Sequence, residues 1–541
     1  MRMKDHVRNI RIFCFVFSLS AFFFSADAQP YFQKTYGGAS VDKGNCVHLN
    51  TDGGFIITGE TNSFGVGNTD IYLLRLNGAG DTVWIKTYGG TGTDAGNEVH
   101  ETVDGGFIIT GQTNSFGAGN MDLFLIKTNS NGDVNWAKTY GGLNDDYGYS
   151  VRQTSDSGYI ATGYTQNFGN GSADVYLIKT NSVGDTSWTT TIQGVASDYG
   201  RTVLQAKDGG FVVAGYTNSF GAGGNDAYLI KTNSIGDTMW TKTYGGTLDE
   251  FIYGIDETSD SGFVFTGSTN SFGPAGTNTN IYMVKTNVNG IMQFSKVYGG
   301  GTSPLDVGND FSYSVIQNSI GGYAIAGNTD GFGGSFQNCI LLRTNSAGTV
   351  IGNMTTYGAS SANSYLRSIQ QTSDGGYAMA GYTESFGAGS SDIYFVKANS
   401  SGDSSNSCGT GGVVPTTTTP ATIVSSTTAG TGAGATVSNA AFIKSGTATQ
   451  TTKLPLGVLI NVTGVSCFGD ADGVAAATVG AGSPPYTYLW SYGPDTGSVS
   501  DSMPGGTFAL SVIDQWGCTQ TDSFTIVEPG LLALQINIDT A

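Results

Sequence analysis

One phrase recurs seven times in this chain. Each copy reads approximately W-x-K-T-Y-G-G, then a variable stretch, then T-x-D-G-G-F-x-x-T-G-x-T-N-S-F-G-x-G-x-x-D-x-Y-L-I-K-T-N-S-x-G-D. The tyrosine of Y-G-G falls at Tyr36, Tyr88, Tyr140, Tyr244, Tyr298 and Tyr357, with Ile192 in its place in the fourth copy, at intervals of 52, 52, 52, 52, 54 and 59 residues. A period this regular means that one unit cannot bury its apolar face alone and must stack on its neighbours. It also divides the roles. What all copies share is scaffold, and what varies between copies is the candidate for recognition.

The second copy predicts four short strands. They are Gly96–Thr102, Phe107–Gly111, Leu123–Lys127 and Trp136–Tyr140. Val103-Asp104-Gly105-Gly106 and Asn129-Ser130-Asn131-Gly132-Asp133 join them as tight turns, because Gly and Asn accept the positive φ such turns need. Four antiparallel strands in each unit of about 50 residues is the pattern of a β-propeller blade. The ends of the array fit ring closure. Trp84, Trp136, Trp188, Trp240 and Phe294 each precede their Tyr or Ile by four residues, but no such strand follows Ser401-Gly402-Asp403. Phe32–Gly38 can complete the last blade instead, removing an exposed sheet edge. The fold class expected is therefore all-β, with seven four-stranded blades over 29–405. The strand after the variable loop is innermost and the Trp strand outermost.

Composition agrees and narrows the function. Gly is 83 of 541 residues and charged residues are only 12%, which suits strands and turns. The net charge is −19 and Lys and Arg nowhere cluster after residue 28, which argues against nucleic acid and anionic membrane surfaces as partners. Lys4, Arg8 and Arg11, the apolar run Ile12–Phe24 and Ala26-Asp27-Ala28 predict a signal peptide over 1–28. No later stretch reads as a membrane span, so the expectation is a secreted or outer-surface chain with a monomeric repeat domain. Five cysteines follow the signal (Cys46, Cys339, Cys408, Cys467 and Cys518), none in C-x-x-C spacing, so no zinc or redox site is expected.

Two rings of aspartate could be mistaken for chemistry. Asp52, Asp104, Asp156, Asp208, Asp260 and Asp374 lie in the D-G-G turns, and Ile320 replaces Asp in the sixth copy. Asp70, Asp122, Asp174, Asp226 and Asp392 follow S-F-G-x-G, with Asn280 and Asn338 substituting. Both are expected to bind their own turn amides. No cofactor is expected, with calcium in the glycine-rich loop as the alternative, since a hard cation wants several oxygen ligands. The strand–turn–Trp element Ile126–Trp136 resembles the tryptophan-docking element of quinoprotein-like propellers, which implies blade packing; no calcium and catalytic Asp set for quinone chemistry maps here. The T-S-D-x-G turns at 154–158 and 372–376 resemble sialidase Asp-boxes, but nothing selects an arginine triad from Arg75, Arg152, Arg201, Arg343 and Arg367. No catalytic residue is assigned.

The copies differ mainly on the face shared by the loop before the innermost strand and the S-F-G-x-G loop, where the length changes fall near 274–280 and 302–310. The candidate binding residues there are Tyr147, Tyr149, Tyr199, Arg201, Glu250, Phe251, Tyr253, Asp306, Asp310, Tyr313, Tyr365 and Arg367. Tyr and Arg carry large contact area with polar tips, Tyr can stack on sugar rings, and carboxylates bond hydroxyls. The competing reading is that these aromatics only fill gaps between blades.

Residues 406–454 are rich in Thr, Ser, Gly and Ala and read as a flexible spacer, with a β-prone patch at 440–444. Over 455–529 the period is gone. Cysteines flanking a central tryptophan fit a small Ig-like β-sandwich, with Cys467–Cys518 as the expected disulfide. Cys467-Phe468-Gly469-Asp470-Ala471-Asp472-Gly473, Pro485-Tyr486-Thr487-Tyr488-Leu489-Trp490, Pro504-Gly505-Gly506-Thr507-Phe508 and Asp514-Gln515-Trp516-Gly517-Cys518 follow in order. This segment resembles the SprB-type repeat of Bacteroidota surface proteins, which implies a cell-surface or secreted protein. Residues 530–541 resemble the lead-in to a further copy. The function expected is an adhesin or binding protein that presents its variable face to an extracellular glycan or surface protein. The alternatives are an enzyme acting on extracellular polysaccharide and a structural spacer.

Overall fold

A computed structural model describes residues 31–404 and 458–528 apart from short internal stretches, together with six short strands between 416 and 451. The expected signal peptide, Asp306, Cys408, Cys467, Cys518, the 274–278 part of the length change and the 530–541 lead-in lie outside the described residues. Among the described residues the chain is all-β, with no helix.

Each repeat forms one antiparallel sheet in simple sequence order. The third is typical, with strands Asp146–Gln153, Tyr159–Thr165, Asp174–Thr180 and Thr186–Gln193. The seventh sheet is completed from the other end of the array, where Phe32–Gly37 pairs with Asp392–Ala398, Phe32 opposite Lys397. The leading strands of the seven sheets are Asp42–Leu49, Asp94–Glu101, Asp146–Gln153, Asp198–Gln205, Glu250–Glu257, Asp310–Gln317 and Ser364–Gln371. Each packs against the leading strand of the next sheet, and the last packs against the first.

The apolar core explains why the repeats need one another. It is divided into clusters that lie between sheets rather than within them. One cluster joins Ile160 and Leu177 of sheet three to Val203, Phe211 and Tyr228 of sheet four. Another joins Ala378 and Phe395 of sheet seven to Val47, Phe55 and Tyr72 of sheet one. Fully burying such a side chain contributes about 1.5–3 kcal/mol, which a lone repeat would forgo.

The shared letters of the repeat are clamps across the same seams. The Y-G-G tyrosine donates its hydroxyl to the glycine carbonyl of the next sheet's N-x-G-D turn: Tyr36 to Gly80 at 2.6 Å, Tyr88 to Gly132 at 2.7 Å and Tyr140 to Gly184 at 2.6 Å. Tyr244, Tyr298 and Tyr357 repeat the contact with Gly290, Gly348 and Gly402. Ile192 leaves the seam between sheets three and four without it. The tryptophan lies on the same glycine: a Cβ on Gly184, at φ 79°, would come within 2.9 Å of the Trp136 ring.

The D-G-G aspartates bind their own turns as expected. Asp156 accepts from the Gly158 amide at 3.0 Å. It also pairs with Lys179 at 2.8 Å, and Lys127–Asp104, Lys231–Asp208 and Lys285–Asp260 repeat that pair. These Asp pKa values are held below the usual range, burial being outweighed by the lysine and turn hydrogen bonds.

The stretch expected to be a flexible spacer supplies short strands instead. Thr416–Thr418, Ile423–Thr427, Gly430–Gly432, Thr436–Asn439, Ile443–Lys444 and Thr449–Thr451 pair with the trailing edges of sheets five, four, three, two, one and seven. Thr-rich sequence tolerates an extended edge position, and the trailing strands offer unpaired backbone groups. The C-terminal unit has two three-stranded antiparallel sheets. They share a core of Val465, Ala475, Trp490, Met503, Leu510, Val512, Phe524 and Ile526. The Trp490 indole donates to the Gly497 carbonyl at 2.9 Å.

Candidate functional site

Every leading strand carries a β-bulge at the same place. The register against the second strand jumps between Gly44 and Cys46, Gly96 and Glu98, Gly148 and Ser150, and Gly200 and Thr202. It jumps again between Ile252 and Gly254, Ser312 and Ser314, and Leu366 and Ser368. The residues left unpaired are Asn45, Asn97, Tyr149, Arg201, Tyr253, Tyr313 and Arg367. A bulge re-aims its extra side chain, and here all seven line one cavity of about 450 Å³ bounded by the seven leading strands.

The glycine of T-G-x-T makes the bulge feasible. A Cβ on Gly163 would lie 1.6 Å from the Tyr147 carbonyl oxygen, and one on Gly59 1.8 Å from that of Lys43. The equivalent glycines of the other five sheets meet the same carbonyl at 1.8–1.9 Å. Only glycine lets the bulged strand sit this close.

Five of the seven bulge residues form a continuous Tyr/Arg stack. The Arg201 guanidinium lies 3.8 Å from the Tyr149 ring centre and 5.2 Å from that of Tyr253. Tyr253 and Tyr313 are 5.3 Å apart, and Arg367 lies 4.0 Å from Tyr313. Burial raises the Tyr149 and Tyr253 pKa values, with Arg201 opposing. Burial works against the Arg367 charge, but Tyr313 and Tyr382 outweigh it and hold its pKa above the ordinary arginine value.

A second aromatic series runs beside the bulges. Tyr147 stacks on Tyr164 at 4.9 Å, Tyr164 meets Tyr199 at 5.0 Å, Tyr199 meets Tyr216 at 4.8 Å, and Tyr216 meets Phe251 at 4.9 Å. Tyr365 pairs with Tyr382 at 4.7 Å in sheet seven. Tyr147, Tyr199, Phe251 and Tyr365 are half-buried and do not line the cavity. At these positions sheet one carries the ion pair Lys43–Glu60 at 2.8 Å, and in sheet two Asn97 donates to Gln112 at 2.6 Å.

Deeper along the strands the cavity turns polar. His48 and His100 face each other, Nδ1 to Nδ1, at 3.1 Å. Glu98 lies 3.3 Å from His100, contacts Arg152 closely and accepts from the Val151 amide at 2.8 Å. Burial drives the His48 pKa down to about 3, aided by His100 and Arg152, and lowers that of His100 too. Both imidazoles are neutral at neutral pH. Burial opposes the Glu98 charge, but Arg152 and His100 hold its carboxyl well below the usual range. Asp256 accepts from the Gln317 amide at 2.8 Å, and burial raises its pKa. Among the described residues no group of His, Cys, Asp or Glu is arranged to hold a metal. Cys46 and Cys339 are free, buried thiols, with Cys46 pushed up to about 12 by burial.

Two of the expected binding residues are corrected. Glu250 and Asp310 are 0% and 1% exposed and reach no surface ligand. Glu250 accepts from Thr269 at 2.6 Å and from the Gly246 amide at 2.7 Å, so it ties the loop before its strand to the second strand. Asp42 makes the same set with Thr61 and the Gly38 amide, the latter at 2.7 Å, and also accepts from Ser63 at 2.6 Å. Asp310 occupies the equivalent position. In the glycine-rich loops, Oδ2 of Asp70 accepts the Val66 and Gly67 amides at 3.0 and 3.1 Å, so it faces N–H donors. Tyr164, Tyr216, Tyr382, Asn45 and Asn97 join the site without having been expected. The variable x of T-G-x-T was the available signal for the three tyrosines.

Residues 459–495 match the SprB repeat. Comparison with curated proteins finds no match to the chain. The SprB match points to a cell-surface or secreted protein of the Bacteroidota type. Among the described residues no helix is long and apolar enough to cross a membrane.

Proposed function

We propose that the repeat region is a seven-bladed β-propeller that serves as the ligand-binding module of an exported adhesin, with a small Ig-like sandwich behind it. Three features support closure: the cyclic contacts of the leading strands, the packing of sheet seven on sheet one, and the strand Phe32–Gly37 shared between the two ends of the array. The observation that carries the binding reading is the ring of bulges, which directs two arginines and three tyrosines into one cavity. A cavity of several hundred Å³ with aromatic walls and a few fixed polar groups is the usual form of a small-ligand site. It also weighs against a purely structural spacer.

The ligand is an extracellular glycan, read by the aromatic mouth. Binding is favoured over catalysis. At the level of the bulges no carboxylate faces the cavity among the described residues, and the deeper Glu98 and Asp256 already accept hydrogen bonds from the protein. A glycan array probed with the mature chain tests this. Selective retention without product, reduced at least about tenfold by Tyr149→Ala and by Tyr253→Ala, is the expected result. Retention unchanged in both variants would sink the assignment.

A further inference from the structure

Arg201 and Arg367 are out of keeping with the rest of the molecule. The chain carries a net charge of −19. Arg75 and Arg152 pair with Asp52 and Glu98, whereas Arg201 and Arg367 have no carboxylate partner among the described residues. Leaving guanidinium charge half-buried and unpaired is unfavourable unless something else compensates. The stacking geometry indicates what is missing. The two guanidinium groups lie over the rings of Tyr149, Tyr253 and Tyr313, at 3.8, 5.2 and 4.0 Å. Tyr149 also hydrogen-bonds Arg201 and Tyr313 hydrogen-bonds Arg367, yet each guanidinium has five N–H donors, and those that remain match a carboxylate in a two-point fork. Arg367 spends one of them on the Tyr382 hydroxyl at 3.4 Å.

We propose that the cavity takes an acidic saccharide, whose carboxylates pair with the free in-plane N–H groups of Arg201 and of Arg367. The proposal rests on the glycan-binding reading above and narrows it to uronic-acid-type sugars. The cavity volume of about 450 Å³ suits one or two sugar rings. The tyrosine hydroxyls supply donors and acceptors for ring hydroxyls. A neutral saccharide would leave both guanidinium groups unanswered.

The test is calorimetric titration of the mature chain. The probes are oligosaccharides of galacturonic, glucuronic and mannuronic acid, each against its methyl ester, which keeps the shape and removes the charge. At least one acid should bind tenfold or more tighter than its ester. Arg201→Gln and Arg367→Gln should each abolish that preference with an unchanged melting temperature. Acids and esters binding alike, or both variants retaining the preference, would overturn the inference and leave the glycan reading standing. No saccharide binding at all would overturn both, as would Arg-dependent binding of an acidic peptide alone. If a glutamine variant does not fold, the acid-against-ester comparison on the unaltered chain decides, with Arg201→Lys testing the need for the fork.

Discussion

Sheets one and two and sheets three to five are built on the same bulge, yet they present opposite chemistry to the cavity. The first pair offers Asn45 and Asn97, with the Lys43–Glu60 ion pair beside them, and, deeper, His48, Glu98 and His100. The other three offer Tyr149, Arg201 and Tyr253, with Tyr147, Tyr164, Tyr199, Tyr216 and Phe251 stacked beside them. The backbone that aims these side chains is common to both halves, so the chemistry of the cavity can change without touching the scaffold.

The shared part should break identically in either half. Gly163→Val and Gly59→Val each force a side chain onto a strand carbonyl. Each should cost more than about 4 kcal/mol in denaturant melts, or prevent folding. A mild effect in one half would show that the bulges are not equivalent.

The acid response should belong to the polar half. His48 titrates near 6.5 when unfolded, but its folded pKa is about 3. Below pH 6.5 the unfolded chain takes up a proton that the folded chain refuses. His48 therefore contributes full stability above pH 6.5 and loses it as the pH falls toward 3. The loss is about 1.4 kcal/mol per pH unit, or about 2 kcal/mol by pH 5. His48→Asn should remove this slope in a comparison of pH-dependent melting. Asp146, Asp226 and Asp392, raised to about 6 by burial, have the opposite sign. They lose stability as the pH rises through 6, and they cancel because both chains carry them.

Ligand affinity should belong to the aromatic half. Tyr253→Ala should weaken binding at least about tenfold, near 1.4 kcal/mol. Asn45→Ala, at the same bulge position in sheet one, should stay within about twofold. Equal losses would make the whole ring the site.

The smallest effects concern the clamps. Tyr88→Phe should cost about 1 kcal/mol by removing the hydrogen bond to Gly132. The seam at Ile192 already lacks that bond, so Ile192→Leu should lose only a few tenths of a kcal/mol beyond packing. Chelation should shift the melting temperature by less than about 1 °C, because Asp70 and its equivalents already accept backbone amides.

Much of the scaffold was legible because the period repeats the same physical demand. The D-G-G turns, the strand order and the strand borrowed from Phe32–Gly37 all follow from it. The misreadings have the same source. Glu250 and Asp310 stand in register with Asp42, Asp94, Asp146 and Asp198, and that recurrence marks them as scaffold. The bulge was hidden because nothing in the leading strand announces it. Its signal is the glycine on the partner strand, at Gly59, Gly163 and their equivalents. The spacer was read from composition, which cannot show that nearby sheet edges lack partners.

The strand Phe32–Gly37 has a kinetic consequence. Tyr394 and Gln33 hydrogen-bond although they lie 361 residues apart in the chain. Of the strands of the seven sheets, synthesis delivers Phe32–Gly37 first and Asp392–Ala398 last, so this pairing is among the last contacts of the repeat region to form. Until then the first strand is an unsatisfied edge. At high concentration during refolding it is the segment two chains would exchange, giving a domain-swapped dimer.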